Sequence, residues 1–340
     1  MTVVAGRRPR RARPVPGLPD AASRAPDAVP GRADPGRADP ARLGSLERGV
    51  VEALAYADVF DWPLTAAEIH RYLPVAATLG EVVAAVEPGA PVSSLVERAG
   101  DLAMLRGRAE LAGIRRQRTR HSRVLWPRAI AWARMVGRLP FVRMVAVTGS
   151  LAVGSARDKD DVDLFVITAD GRLWLTRAMT MLIVRAARLR GLRLCPNYLL
   201  AVSALRLSDR TLFTARELVQ MVPVTGGEVY AELLAGNAWY REFLPNADLS
   251  APRTQSPRTQ SPRPGMLGLL GRLMEAALRS RAADRLERWE MKRKTQQLCT
   301  TSASTETRYD ATCCKGHADE HGRHVLAAFE ARLSRLDEVI

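Results

Sequence analysis

The chain has 340 residues, and its 47% content of hydrophobic residues excludes a globally disordered protein. Its net charge of +15 favours anionic partners such as nucleic acid, nucleoside triphosphates or acidic membrane surfaces, although an arginine-rich genomic base bias explains it equally well. No apolar run approaches the roughly 18 residues of a transmembrane segment. The N-terminus lacks the apolar core of a signal peptide, and the four cysteines show no disulfide-framework spacing. We therefore expect a cytoplasmic protein.

Residues 1–42 are rich in Pro, Ala, Arg and Gly and contain the tandem repeat GRADPGRADP at 31–40. Such a segment cannot bury enough apolar surface to offset the entropy lost on ordering. We predict a disordered basic tail.

Residues 43–107 predict three helices followed by a hairpin. The first helix follows Ser45, the second begins at the capping-box pair Thr65 and Glu68, and the third covers 78–86. Two short apolar runs flank the turn at 99–101 and predict the hairpin. This order of elements is typical of a winged helix.

A winged helix reads DNA with its third helix, which is then expected to be basic. The segment 78–87 carries Glu81 and Glu87 and contains no Lys or Arg. This composition favours a role in packing or in docking a partner, and DNA binding remains an alternative.

Residues 108–140 predict a basic helical connector made of a pair of helices. Its arginines crowd a short span: Arg115, Arg116, Arg118, Arg120 and Arg123. Such runs are usually solvated faces, but the position of this run, directly before an acidic motif, also allows contact with a triphosphate or nucleic acid.

From residue 141 the pattern changes to alternating strands and helices. The stretches FVRMVAVTG, DVDLFVIT and RLCPNYLLAVSAL predict buried strands, with a helical turn and then a helix in the two intervals between them. The stretch DRTLFTARELVQMVPV predicts a further helix, and EVYAELLAGNAWYREFL predicts another.

The turn between the first two of these strands carries the strongest chemical signal. Gly149 allows backbone N–H groups to approach a phosphate, and Ser150 offers a hydroxyl and a cap for the short helix that follows. Asp161 and Asp163 lie two residues apart where the second strand begins, so their carboxylates share one face and can hold divalent cations. Together these residues predict a metal–triphosphate site.

This motif of apolar strand, Gly-Ser turn and Asp-apolar-Asp resembles the active-site signature of the DNA polymerase beta-type nucleotidyltransferase superfamily. The winged-helix-like segment before it resembles the arrangement of uncharacterised bacterial nucleotidyltransferase-like proteins. The resemblance implies that Gly149 and Ser150 bind the nucleotide and that Asp161 and Asp163 are catalytic ligands of two Mg²⁺ ions.

The superfamily usually has a third carboxylate on a later strand, and the matching strand of this chain has none. Cys195 or Asn197 occupies that place, and an amide cannot usefully accept a proton near neutral pH. Asp209 and Glu217 follow downstream, and the sequence does not decide between them. The third carboxylate is therefore unknown at this stage.

The C-terminal part begins with a linker at 249–265 that contains the repeat PRTQSPRTQSPR. A long amphipathic basic helix is expected after it, packed on the preceding domain or adhering to an anionic membrane. Metal-binding residue types gather near the end of the chain, where a polar helix face is favoured over zinc binding: Cys313, Cys314, His317, His321 and His324, with Cys299 as a further candidate ligand.

We therefore expect an α+β or α/β protein with a small mixed sheet flanked by helices, preceded by a winged-helix-like domain and followed by C-terminal helices. The predicted segments are the tail 1–42, the winged-helix-like domain 43–107, the connector 108–140, the nucleotidyltransferase-like domain 141–248, the linker 249–265 and the helical region 266–340. The expected function is Mg²⁺-dependent transfer of a nucleoside monophosphate from NTP to an acceptor, with nucleic acid and protein as candidates. The alternatives are an inactive nucleotide-binding or regulatory protein of the same fold and a winged-helix DNA-binding protein.

Overall fold

The computed structural model describes residues 43–249, 266–301, 307–316 and 321–339. The expected tail, almost all of the expected linker and His317 lie outside these ranges. Within them the structure is a mixed α+β arrangement in which helices flank two sheets, as expected for the fold class at this level. No helix in the described part of the chain is both long enough and apolar enough to cross a membrane.

The first part of the described chain holds three helices and a small antiparallel sheet. Its elements are α1 (Ser45–Asp58), β1 (Leu64–Thr65), α2 (Ala66–Tyr72), α3 (Leu79–Ala85), a 3₁₀ turn (Pro91–Ser94), β2 (Val96–Ala99) and β3 (Leu102–Leu105). Strand β3 pairs with both β1 and β2. The predicted helices and hairpin are confirmed, and β1 is an additional strand.

Capping boxes start both α2 and α3. The Glu68 carboxylate accepts from the Thr65 backbone N–H at 2.8 Å, and the Thr65 hydroxyl accepts from the Glu68 N–H at 3.3 Å. Thr78 and Glu81 make the same exchange at 2.7 and 3.3 Å, which lowers the pKa of Glu81. The acidic residue of α3 therefore serves the start of its own helix.

One continuous helix, α4 (Leu111–Gly137), replaces the predicted pair, although it contains Pro127. Its buried side chains recur at helical spacing on both sides of the proline: Ser122, Trp126, Ala129, Ala133 and Val136. Packing of this face offsets the hydrogen bond that Pro127 cannot donate, so the helix does not break.

The middle of the chain forms most of a six-stranded mixed sheet. Its elements are β4 (Val142–Thr148), α5 (Gly149–Ala152), β5 (Val162–Thr168), α6 (Leu173–Leu189), β6 (Leu194–Ala201), a 3₁₀ turn (Val202–Ala204), α7 (Leu212–Gln220), β7 (Val222–Thr225), α8 (Gly227–Gly236) and α9 (Tyr240–Phe243). Strand β5 lies antiparallel to β4 and parallel to β6. Helices cover both faces of the sheet, so each face has its own hydrophobic core. Successive side chains of β4 therefore belong to different cores: Met144 lies in one and Val145 lies in the other.

Two segments differ from the prediction in this region and beyond it. The stretch MVPV, predicted as helix, contains the edge strand β7, because Pro223 cannot continue a helix but is tolerated at a sheet edge. The C-terminal part is not purely helical: it contains α10 (Met266–Ala277), α11 (Arg281–Thr301), β8 (Arg308–Tyr309), β9 (Cys313–Lys315) and α12 (His321–Val339). Strand β9 pairs with β6 and extends the sheet, whose order is β7-β4-β5-β6-β9-β8.

A buried carboxylate joins the C-terminal part to the sheet region. Helix α6 begins without a side-chain cap of its own. Glu287 of α11, only 7% exposed, accepts from the backbone N–H groups of Trp174 and Leu175 at 2.8 Å each. A distant residue thus caps α6.

We expect Glu287→Ala to lower the free energy of unfolding by about 2–4 kcal/mol, since two buried N–H groups lose a charged acceptor. Urea unfolding followed by circular dichroism measures the change. Glu287→Gln, which keeps an amide oxygen, is expected to lose less. The exposed Glu330→Ala is the control, and an equal effect of Glu287→Ala and Glu330→Ala would contradict the capping role.

Candidate functional site

A cleft of about 1200 Å³ lies between the N-terminal helices and the end of the six-stranded sheet. The residues that the sequence singled out, Gly149, Ser150, Asp161 and Asp163, all line it. Helices α1 and α2 line the opposite side with residues such as Tyr56. The structure therefore brings the predicted residues together, and the N-terminal helices form the opposite wall of their cleft.

Gly149 lies at the end of β4 in contact with Asp163. Its φ of +64° is in the left-handed region, and a Cβ at this position would lie 2.3 Å from the Asp163 Oδ2 atom. The contact arises because Thr148 and Asp163 are paired across β4 and β5. The space next to Gly149 that was expected to admit a phosphate is thus occupied in part by the Asp163 carboxylate.

Ser150 has a different local role from the one expected. Helix α5 begins at Gly149, before Ser150, so the expected cap by Ser150 is wrong. The Ser150 hydroxyl donates to Asp160 Oδ2 at 3.0 Å, and the Arg157 backbone N–H donates to the same oxygen at 2.9 Å. Ser150 therefore holds the loop between β4 and β5.

Asp161 and Asp163 lie in different surroundings. Asp161 is exposed before β5, with its Oδ1 atom 2.7 Å from the Arg193 Nε atom. Asp163 is partly buried and accepts from the Asn197 Nδ2 group at 3.2 Å. Burial raises the pKa of Asp163 to about 7, and the nearby charges of Glu217 and Asp161 add to the rise.

The structure separates the two candidates for a third carboxylate. Asp209 is 2.7 Å from the Lys315 Nζ atom, which lowers its pKa, and it does not line the cleft. Glu217 on α7 lines the cleft, and burial raises its pKa to about 7. Its charge acts on Asp163, so of the two candidates Glu217 is the one that lies near the acidic pair. The sequence signal that favours Glu217 is its helical spacing from Phe213 and Gln220, which line the same wall.

Cys195 and Asn197 lie beside Asp163 on β6. Cys195 pairs with Asp163 in the sheet, and an irregularity follows between Cys195 and Tyr198, where the missing N–H group of Pro196 is tolerated. Burial and Asp163 raise the pKa of the Cys195 thiol to about 12, so it stays protonated. Neither residue replaces a carboxylate, and Asn197 instead orients Asp163.

The part of the chain that the structure describes contains no preformed metal site. Among the described residues there is no group of three or more His, Cys, Asp or Glu side chains that could hold a metal ion. Cys313 and Cys314 are buried in different cores on the two faces of the sheet. His321 packs edge-on against Phe213, with ring centroids 5.8 Å apart.

The cleft also contains many cations. The basic side chains that line it are Arg71, Arg115, Arg118, Arg123, Arg157, Lys159, Arg193 and Arg216. Part of the predicted basic run on α4 belongs to this set. Two of its arginines are not simply solvated, because they bind groups of the N-terminal region. Arg115 pairs with Glu68 at 2.7 Å, and Arg118 donates to the Phe60 carbonyl at 2.8 Å.

Comparisons with protein-family models, with curated proteins and with solved structures find no match to this chain. The function is therefore inferred from the site itself.

We expect Gly149→Ala to displace the Asp163 carboxylate, because the added Cβ overlaps Oδ2. The free energy of unfolding should fall by about 2–4 kcal/mol, roughly 1–2 of which is left-handed strain. Gly171→Ala is the matched control, with φ of +66° and open space around it. Chemical denaturation measures both variants, and equal losses would show that the Asp163 contact does not require glycine.

The raised pKa of Asp163 also predicts that the free energy of unfolding depends on pH. The pKa of this carboxyl is about 7 in the folded protein and about 3.9 in an unfolded chain. Between these values only the folded state holds the proton, so the free energy of unfolding falls as the pH rises from 4 to 7.

Asp163→Asn is therefore expected to stabilise the protein at pH 8, by on the order of 2 kcal/mol, and to have no effect towards pH 4. Asp209→Asn should act in the opposite direction, since Lys315 lowers the pKa of Asp209. Thermal unfolding across this pH range measures both. A destabilising Asp163→Asn at pH 8 would show that burial does not disfavour the Asp163 charge.

Proposed function

We propose that this protein is a nucleotidyltransferase that transfers a nucleoside monophosphate from NTP to an acceptor and releases pyrophosphate. The observation that supports this most is that one cleft is lined by Gly149, Asp161, Asp163 and Glu217. The proposal assigns the six-stranded sheet to the nucleotidyltransferase type and the N-terminal helices and hairpin to a winged-helix-like domain.

The carboxylates suit Mg²⁺, which is usually held by one or two carboxylates together with phosphate oxygens and water. Asp161 and Asp163 would hold it, and a ligand set completed by the triphosphate needs no preformed group of three side chains. When bound, the metal would neutralise the charge of the triphosphate.

Glu217 is assigned as the proton acceptor. Its pKa of about 7 lets it take a proton near neutral pH. An acceptor hydroxyl oxygen attacks the α-phosphorus, the bond from that phosphorus to the bridging β-oxygen breaks, and pyrophosphate leaves. The hydroxyl proton passes to Glu217.

The N-terminal wall of the cleft is assigned to acceptor binding and not to DNA reading. Helices α1 and α2 line the cleft with Tyr56 and Tyr72. On and after α3, Glu81 caps its own helix and Glu87 pairs with Arg98 at 2.7 Å. These acids would repel a phosphate backbone.

A non-catalytic, nucleotide-binding function is the second candidate. It is favoured by the 2.7 Å ion pair between Asp161 and Arg193, which occupies one proposed metal ligand. Under the first proposal, Arg193 releases Asp161 when the triphosphate arrives.

Label transfer from α-³²P-labelled NTPs with Mg²⁺, in the presence of total cellular RNA and protein, distinguishes the two candidates. We expect Asp161→Asn and Asp163→Asn each to reduce transfer about 100-fold or more, and Glu217→Gln to reduce transfer while NTP binding persists. The control is Asp337→Asn, an exposed carboxylate outside the cleft.

Nucleotide binding by the wild type without transfer would support the non-catalytic candidate. If the wild type neither binds nor transfers nucleotides, both candidates are rejected.

A further inference from the structure

Arg216 of α7 is a buried arginine in the wall of the cleft. The residue is only 3% exposed. Its guanidinium carbon lies 4.0 Å from the ring centre of Tyr56 and 4.5 Å from that of Tyr72. Two tyrosines, one from α1 and one from α2, thus hold the guanidinium plane in place.

This cation has no anionic partner in the described part of the chain. Its buried Nε–H group makes no hydrogen bond. The charged and titratable groups that act on it are the two tyrosines, whereas other arginines of the cleft, such as Arg115 and Arg193, pair with carboxylates. Burial lowers the pKa of Arg216, but a guanidinium stays protonated in proteins. A buried cation without an anionic partner costs free energy that an oxyanion would recover.

Arg216 shares a helix face with the proposed proton acceptor. The residues of α7 that line the cleft are spaced as one helical face: Phe213, Arg216, Glu217 and Gln220. Glu217 directly follows Arg216 on α7 and lines the same cleft, so the tyrosine–arginine stack lies close to this acid. A group bound at Arg216 therefore lies next to Glu217.

The size of the cleft leaves room for a second ligand. Its volume of about 1200 Å³ exceeds the roughly 300–1000 Å³ typical of a pocket for one small molecule. A nucleotide at Asp161 and Asp163 leaves the Arg216 side of the cleft to another molecule.

We infer that Arg216, stacked between Tyr56 and Tyr72, binds an oxyanion, phosphate or carboxylate, of a small-molecule ligand in the cleft. The further assignment of this ligand as the acceptor rests on the proposed function, since Glu217 takes the proton of the acceptor. The acceptor is then an anionic small molecule that also carries a hydroxyl group.

Thermal unfolding of the full chain in sodium phosphate, in sodium succinate and in sodium chloride at equal ionic strength tests the anion site. We expect phosphate, succinate or both to raise the wild-type melting temperature above its value in chloride, and the difference between the two anions identifies the preferred group. Arg216→Met should weaken the apparent affinity at least about tenfold. It should leave the melting temperature in chloride unchanged or higher, because an unpaired buried charge is removed.

The matched control is Arg241→Gln, which removes an exposed arginine stacked on Tyr240 at 5.1 Å, outside the cleft. It should keep the wild-type response. A wild-type response in Arg216→Met, or no response of the wild type to either anion, would overturn the inference.

Two further variants complete the test. Arg216→Lys keeps the positive charge but loses the planar guanidinium, so we expect it to bind the anion more weakly. Wild-type affinity in this variant would contradict a guanidinium site. Asp163→Asn should retain the anion response whether or not the protein transfers nucleotides. Anion binding by a wild-type protein that transfers no nucleotide would reject the proposed function and leave the Arg216 site standing.

Discussion

The Asp163 carboxylate lies against the backbone of Gly149 where β4 ends, and the arrangement of the cleft depends on this contact. Pairing of β4 with β5 brings the two residues together, so a residue with a Cβ at 149 would overlap Oδ2. The carboxylate is partly buried as a result, and its charge is disfavoured. Asn197 and Cys195 on the neighbouring strand hold it in place.

The cleft has partly buried acids on one side and a buried cation on the other. On one side, Asp163 and Glu217 are partly buried acids, and burial raises the pKa of each to about 7. On the other side, Arg216 is a buried cation stacked on tyrosines, with no carboxylate partner among the described residues. A metal-bound nucleotide and an anionic acceptor are ligands of complementary charge for these two groups. This complementarity connects the proposed function with the inferred anion site.

Local chemistry made much of the chain predictable. Capping-box pairs at Thr65 and Thr78 start their helices through contacts three residues apart, so sequence spacing is sufficient to recognise the one at Thr65. The continuous apolar runs of β4 and β5 are buried on both faces, which marks them as strands. The predictions that failed concern segments in which packing against distant residues outweighs the local preference of the sequence, or in which the local pattern is very short. Pro127 does not break α4 because packing outweighs its missing hydrogen bond, and β9 is only three residues long.

By itself, the sequence determined most of the helices and strands up to β6, the Gly-Ser turn and the acidic pair after it, because each depends on residues close together in the chain. Only the tertiary structure decided which distant groups complete the site. Glu217 lines the cleft together with Asp163 while Asp209 pairs with Lys315, and the tyrosines that enclose Arg216 come from helices more than a hundred residues earlier. The physical reason is that burial and charge partners depend on how elements pack, and neither is encoded in the spacing of neighbouring residues.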